Sequence, residues 1–339
     1  MENLLELKPD GLYCAAGDFY VDPWNPVNRA VITHAHADHL SPGSARYLTT
    51  RAGEALLRAR VGPDAAVESM DYGAAFESNG VRVSFHPAGH MLGSAQVRIE
   101  YRGETSVVSG DYKLAPDPTC VGFEPVQCHT FITESTFGLP IFRWPQPADV
   151  FGELNAWWQA NQMAGKASVL FAYPLGKAQR VLTGIDPALG PIFTHGAVEQ
   201  YNRIYRECGI ELPHTQYARS APPQTDWSRA LILAPPLAKS SPWLKRFGGF
   251  STGFASGWMR IRGTRRRRSI DRGFVLSDHA DWPALLQAID STGAERVWVT
   301  HGYRGPLARW LAENGREAHP IETRYEGERD DAGVEEGEP

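Results

Sequence analysis

The run Thr33-His34-Ala35-His36-Ala37-Asp38-His39 limits what this chain can fold into more than any other stretch. Three imidazoles and a carboxylate fall within six positions, directly after an apolar run, Ala30-Val31-Ile32, that has the pattern of a strand ending. Imidazole nitrogen and carboxylate oxygen suit zinc and similar divalent ions. A strand reverses side-chain direction at every residue, so His34 and His36 emerge on one side. A turn then brings Asp38 and His39 round beside them. A catalytic zinc takes three protein ligands, usually from separated segments. Four in one loop therefore point to two neighbouring ions, and two ions need ligands from elsewhere in the chain.

The rest of the sequence offers them in a recurring form, a polar residue just past an apolar, strand-like run. His34, His90, Asp111, Glu134, His279 and His301 all stand in that position. Loops at one end of a sheet converge from distant parts of a chain, so these residues can share a site. The expected assignment puts His34, His36 and His90 on one ion. Asp38, His39 and His301 hold the other, and Asp111 bridges the two, as a carboxylate does in two-metal sites. His86, His129, His195, His214 and His319 have no comparable setting and read as structural.

At 339 residues the chain is long for a single core, so two domains, or one with a large insertion, are expected. A net charge of -5 argues against a uniformly basic coat for nucleic acid, but leaves room for a local basic groove. Much of the negative charge sits between Glu326 and Glu338, a Glu/Asp/Gly stretch that reads as disordered. The four cysteines form no C-x-x-C pair and no secretory leader is visible, so they read as buried thiols. No apolar run approaches the ~20 residues of a membrane span. A soluble cytoplasmic protein is the expectation.

Up to about residue 135, short strands alternate with turns: 12–14, Phe19–Val21, 29–33, 81–85, 96–101, 105–109 and 130–133, with a helix over 51–60. From 140 to 260 helical stretches (148–163, 177–185, 198–208) alternate with apolar runs at 169–172, 192–193 and Leu231–Ala234. That alternation predicts βα units around a mainly parallel sheet. Pro140, Pro145 and Pro147 mark the entry. After Arg272 the pattern of the first part returns, with a strand at 274–276, helices over 283–291 and 305–314, and strands at Arg296–Thr300 and near 319–322.

His34-x-His36-x-Asp38-His39, followed by His90 and Asp111, resembles the metallo-β-lactamase superfamily. The resemblance implies an α/β fold, an αββα sandwich with a two-metal site at one edge. Glu134 in Thr-Glu-Ser-Thr-Phe-Gly, Ser277-x-His279-x-Asp281 and Thr300-His301-Gly302 resemble the motifs of its β-CASP branch, nucleases of RNA processing and DNA repair with an inserted α/β cap domain. Tyr173-Pro-Leu-Gly176-Lys177-Ala-Gln179 is similar to a cap segment of that branch. The implied divisions are a first lactamase part over 1–139, a cap over 140–268, a second lactamase part over 269–325 and an acidic tail over 326–339. Compact length and the segment 257–263 look most like the bacterial ligase-associated DNA exonucleases. His301 is the exception, because eukaryotic DNA-repair members of the branch usually have valine there and RNA-processing members have histidine.

The expected activity is hydrolysis of phosphodiester bonds by two divalent ions, zinc with manganese as the alternative. Such ions lower the pKa of a water towards about 7. The catalytic set is Asp38, Glu134 and His279. The resemblance makes His279 the general acid and Glu134 the partner that orients and charges its imidazole. Phosphate contacts are expected from Ser135, Thr136 and Lys177, and from the basic block Arg260, Arg262, Arg265, Arg266, Arg267 and Arg268. Trp243, Phe247, Phe250, Phe254 and Trp258 are expected to stack on bases. Single-stranded DNA is the expected substrate, with a DNA ligase or helicase of one repair pathway as partner. The alternatives are a β-CASP ribonuclease of RNA processing, a small-molecule metallo-hydrolase and a non-catalytic relative.

Overall fold

The computed structural model describes residues 4–263 and 269–324, which divide into two compact units. The described residues up to Arg143 and from His279 onward form the first; Trp144–Asp278 form the second, interrupting the first in sequence.

The first unit opens with β1 (Glu6–Lys8), β2 (Gly11–Cys14), β3 (Phe19–Val21), β4 (Arg29–Val31), β5 (Arg46–Thr50), α1 (Glu54–Val61) and β6 (Val67–Met70). These six strands form one sheet in chain order, antiparallel to β3 and parallel from β3 to β6. β7 (Ala75–Ser78), β8 (Val81–Pro87), β9 (Ala95–Tyr101), β10 (Glu104–Val108) and β11 (Thr130–Glu134) begin a second sheet. The chain then enters the second unit through α2 (Pro147–Met163), β12 (Ala167–Phe171), α3 (Lys177–Gly184), β13 (Ile192–Thr194) and α4 (Gly196–Glu207). That unit finishes with β14 (Gln216–Tyr217), β15 (Leu231–Ala234), β16 (Phe250–Ala255) and β17 (Arg272–Phe274). Back in the first unit come α5 (Trp282–Ser291), β18 (Arg296–Thr300), α6 (Arg304–Glu313) and β19 (Glu317–Pro320), completing the second sheet in the order β19-β18-β11-β10-β9-β8-β7.

Strand alternation explains the layering of the first unit. Val108, Ile132 and Trp298 face Leu12, Phe19, Val21 and Val31 of the first sheet across a shared core. Their neighbours Val107, Phe131, Val297 and Val299 face the other way, onto Leu285 and Ile289 of α5 and Leu307 and Leu311 of α6. Both helical pairs are four residues apart, one stripe on each helix. α1 lies against β5 and β6 and buries Leu56 and Leu57. The order is helix, sheet, sheet, helix.

Direction matters more than order for the site. β9 is antiparallel to both β8 and β10, while β10, β11 and β18 are mutually parallel neighbours. β8, β10, β11 and β18 therefore all run the same way. Their C-terminal ends open on one edge of the sheet, and there the chain places His90, Asp111, Glu134 and His301.

The second unit has six parallel strands in the order β14-β13-β15-β12-β16-β17. β12 sends Leu170 into one core and Ala167, Val169 and Phe171 into the other. Burial on both faces accounts for its continuous apolar run. One division differs from the sequence-based expectation. Residues 272–274, expected at the start of the return, pair in parallel with β16 and belong to the inserted unit's sheet. The return begins at His279, where Ala280 N–H donates to Tyr112 O at 2.7 Å and Asp281 caps α5 through Ala284 N–H. Residues 325–339, which hold the acidic stretch, lie outside the described residues. Among the described residues no helix is long and apolar enough to cross a membrane. All four cysteines are unbridged; Cys14 is buried, Cys120 and Cys128 are half-buried, and Cys208 is exposed, contrary to the expectation of four buried thiols.

Phe131 is fully buried between β11 and the α5–α6 layer. Phe131→Ala should cost about 3–5 kcal/mol, read as a lower urea midpoint by circular dichroism. A loss under about 1 kcal/mol would contradict this packing.

Candidate metal centre

His34 stands three positions past the end of β4, and the strand end is anchored by Asp22, a residue outside the expected ligand set. Asp22 accepts hydrogen bonds from Thr33 N–H at 2.8 Å and Thr33 Oγ1–H at 2.6 Å. The same carboxylate lies 2.8 Å from His39 Nδ1. Asp22 follows β3 with φ +45°, in the left-handed region that aspartate tolerates better than most residues. Its signal in the sequence is the one the other ligands share, a carboxylate just past a strand.

The Asp22 contact fixes the His39 tautomer. With Nδ1–H donated to Asp22, the Nε2 lone pair points inward. That nitrogen is buried with no hydrogen-bond partner among the described residues, and it lies 3.3 Å from Asp111 Oδ2. A lone pair facing a carboxylate oxygen at this distance repels it unless a proton or a cation stands between them. Asp111 Oδ1 is likewise buried without a partner. His34 Nε2 lies 3.6 Å from Asp111 Oδ2 and 3.2 Å from His36 Nδ1, which is itself 3.1 Å from His90 Nε2. Each of these nitrogen pairs is close enough for an N–H···N hydrogen bond or to share a cation.

Ligand atoms of His34, His36, His90 and Asp111 lie within 4.8 Å of one another, as do those of His39, Asp111 and His301. All six residues are buried. Asp111 is common to both groups, the position of a bridging carboxylate. The donor set, nitrogen with carboxylate oxygen, fits two divalent ions of the zinc class. Asp38 stands slightly apart: it is in neither group, and its carboxylate is 3.9 Å from His39 Nε2.

Electrostatics say the same. Burial drives the His34 imidazole well below the usual histidine range, and neighbouring His39 and His36 push it further. Burial also lowers His301, reinforced by His39. Burial opposes charge on His39 too, but the nearby Asp111 and Asp38 carboxylates and the hydrogen bond to Asp22 outweigh it and hold it well above that range. Burial would raise Asp111, yet His39, His279 and His34 keep it well below the carboxylate range. Without an ion, a proton on His39 balances the buried Asp111 charge.

Two glycines make the approach possible. Gly110 has φ +55°, and a Cβ there would meet Thr33 Oγ1 at 2.6 Å, so only glycine lets the Asp111 loop pass the His34 loop. Gly302 has φ +56°, and its Cβ would meet Ser135 O at 2.4 Å. His301 itself sits at φ +52°, uncommon for a residue with a side chain.

Glu134 and His279 form a pair beside Asp111. Glu134 Oε2 is 2.9 Å from His279 Nδ1, and Glu134 Oε1 accepts Tyr112 N–H at 2.8 Å. Both side chains are buried. With Asp111 they form a further group able to hold an ion, so metal content is what separates a ligand role for His279 from an acid role.

The expected phosphate contacts divide. Ser135 is fully buried, and its hydroxyl donates to Thr300 O at 3.0 Å and lies against His301 O, an anchor for the His301 loop. Thr136 is buried, with its Oγ1 lacking a hydrogen-bond partner among the described residues. Lys177, at the start of α3, is buried 3.1 Å from Asp278 Oδ1, an internal ion pair of the second unit in place of the expected open phosphate contact. Arg260 and Arg262 are exposed, and Arg265, Arg266, Arg267 and Arg268 lie outside the described residues. The aromatic expectation is corrected: Trp243, Phe247 and Phe254 fill a core of the second unit, where no base can stack. Three of the remaining histidines are structural, as expected: His86 pairs with Glu124, His129 accepts Thr105 N–H and His195 caps α4.

No family model matches the chain. Over 318 residues, 92% of this chain and 30% of the relative, it is 29% identical to a probable DNA ligase of Opitutus terrae. It is 30% identical over 146 residues to cleavage and polyadenylation specificity factor subunit 3 of Dictyostelium discoideum, covering 42% of this chain and 19% of that protein. It is 30% identical over 122 residues to the endoribonuclease YSH1 of Saccharomyces cerevisiae, covering 35% and 15%. The chain thus spans less than a third of the length of each of these curated relatives. A crystal structure of a protein of unknown function from Enterococcus faecalis aligns with a TM-score of 0.57 at 14% identity, covering 87% of this chain and 79% of that one, a likeness of fold.

Asp22→Asn keeps the size of the side chain but removes the carboxylate that orients His39. Zinc affinity, measured by calorimetry on metal-stripped protein, should fall about 10–100-fold. Wild-type affinity in a folded variant would sink the orienting role.

Proposed function

We propose that this chain is a two-metal nuclease of the metallo-β-lactamase/β-CASP type, a DNA exonuclease acting in the cytoplasm in DNA repair. The observation that carries the reading is the buried Glu134–His279 pair at 2.9 Å, beside two ligand groups that share Asp111. The relatives named as an endoribonuclease and a polyadenylation factor support the nuclease class. The match of 92% of this chain to 30% of a protein named as a probable DNA ligase favours DNA as substrate, and a ligase, with or without a helicase, as partner. The second unit is taken as the β-CASP cap.

Two divalent ions in the centre would supply a nucleophile at neutral pH and offset charge on the phosphoryl oxygens. The protein's own residues do the rest. Glu134 accepts Nδ1–H of His279, so Nε2 faces the reaction as the proton donor. As the new P–O bond forms and the old one breaks, that proton passes to the departing oxygen. Asp38, less buried than the imidazoles and 3.9 Å from His39 Nε2, would join His39, Asp111 and His301 in holding the second ion. Thr136 and the exposed Arg260 and Arg262 hold backbone phosphates, with Arg265–Arg268 extending the same basic run; Ser135 and Lys177 contribute through the loops they anchor. The rival reading is an RNA-processing ribonuclease, favoured by His301 and the YSH1 likeness.

Purified protein loaded with zinc or manganese, incubated with end-labelled single-stranded DNA and RNA of matched sequence, tests this directly. DNA should shorten from its ends, EDTA should stop it, and His279→Ala should slow it at least ~100-fold with bound metal unchanged. Preference for RNA would establish the rival. No cleavage of either strand, or loss of metal in His279→Ala, would overturn the mechanism.

A further inference from the structure

The first unit has a cavity of about 370 Å³ that the metal centre does not use. It opens where β4, β5 and β6 begin, whereas the ligand loop follows the opposite end of β4. Phe19, Val31, Leu48, Met70 and Phe76 form its apolar wall.

Two arginines stand at the mouth. Arg29 and Arg46 are directly paired across the parallel strands β4 and β5, so their side chains leave the same face. Val31 and Leu48 lie two residues on along the same strands and share that face, in or against the inter-sheet core. Like charges placed opposite each other on neighbouring strands destabilise a sheet. Among the described residues neither guanidinium has a carboxylate within ion-pair distance. Arg29 donates to Ser78 Oγ at 3.1 Å, and Ser78 is itself tied to Gly17 O at 2.7 Å. Arg46 is exposed. Glu68 is paired with Leu48 and faces the same side, giving the mouth one acceptor beside its two cations. Glu77 also lines the cavity, although by strand alternation its side chain leaves the face of β7 opposite to Phe76 and Ser78.

We propose that this cavity binds a phosphate monoester with a flat or apolar body. The phosphate lies between Arg29 and Arg46, whose paired guanidinium forks match a dianion in charge and geometry. The body enters against Phe19 and Phe76, and Glu68 accepts a hydroxyl or amino hydrogen from it. The volume falls in the range of small-molecule sites, mostly apolar with a few placed polar groups. A nucleoside 5′-monophosphate has all three parts. It is also the product class of an exonuclease, so the cavity would read product; that link rests on the proposed function, but the binding does not.

The test is calorimetry on the full chain in EDTA, titrated with a nucleoside 5′-monophosphate, the bare nucleoside and inorganic phosphate. One equivalent of the monophosphate should bind, and each fragment should bind at least about tenfold more weakly. Arg46→Ala should weaken binding about tenfold or more, the loss of a charge-assisted contact, with thermal midpoint and nuclease rate unchanged. Met70→Trp should abolish binding by filling the space. Absence of binding, binding retained in Arg46→Ala, or binding lost in His90→Ala would overturn the proposal. Because no step needs metal or cleavage, failure here leaves the nuclease reading standing, and failure of cleavage leaves this one standing.

Discussion

Asp111 is a buried carboxylate surrounded by imidazoles, and the architecture of the first unit depends on that charge being compensated. A buried, unpaired carboxylate is costly enough that it would ordinarily neutralise itself. Here the opposite holds, because His39, His279 and His34 keep it ionised. Its Oδ1 and the Nε2 of His39 nevertheless lack hydrogen-bond partners among the described residues. A single proton on His39 Nε2 faces Asp111 Oδ2 and balances the charge, but leaves Asp111 Oδ1 unpaired. Divalent ions would satisfy both the charge and the facing lone pairs, which is why the cluster reads as a metal centre rather than a polar core.

The fold serves that centre through strand direction. Same-direction strands β8, β10, β11 and β18 bring residues more than two hundred positions apart to one sheet edge. The facing sheet supplies the dense loop after β4, tied down by Asp22. His279 has a different origin. It arrives as the chain re-enters from the inserted unit, and the Tyr112 backbone fixes it by accepting from Ala280 while donating to Glu134.

The ligand set is legible in the sequence because each member is a local signal, a polar residue ending an apolar run, and those runs become strands within a residue or two. Asp22 shows the same signal but follows a three-residue strand and precedes Pro23, so it has the look of a turn residue. β5, β6 and β7 escape a reading by pattern; each is short and mixes polar with apolar residues. β16 is hidden by Gly253, a weak strand former present because a Cβ would lie 3.0 Å from the Phe274 ring and 3.1 Å from Trp157. The aromatic residues mislead for a plainer reason. Composition cannot tell a ring that stacks on a base from one that fills a core, and burial decides for Trp243, Phe247 and Phe254.

The most direct test of the shared-carboxylate centre is a metal count. Metal-stripped protein reloaded with zinc, desalted and analysed by elemental analysis should carry two equivalents per chain, and Asp111→Asn should retain fewer than two while remaining folded. One equivalent or none in the wild type, or two equivalents unchanged in Asp111→Asn, would contradict a two-ion site bridged by Asp111.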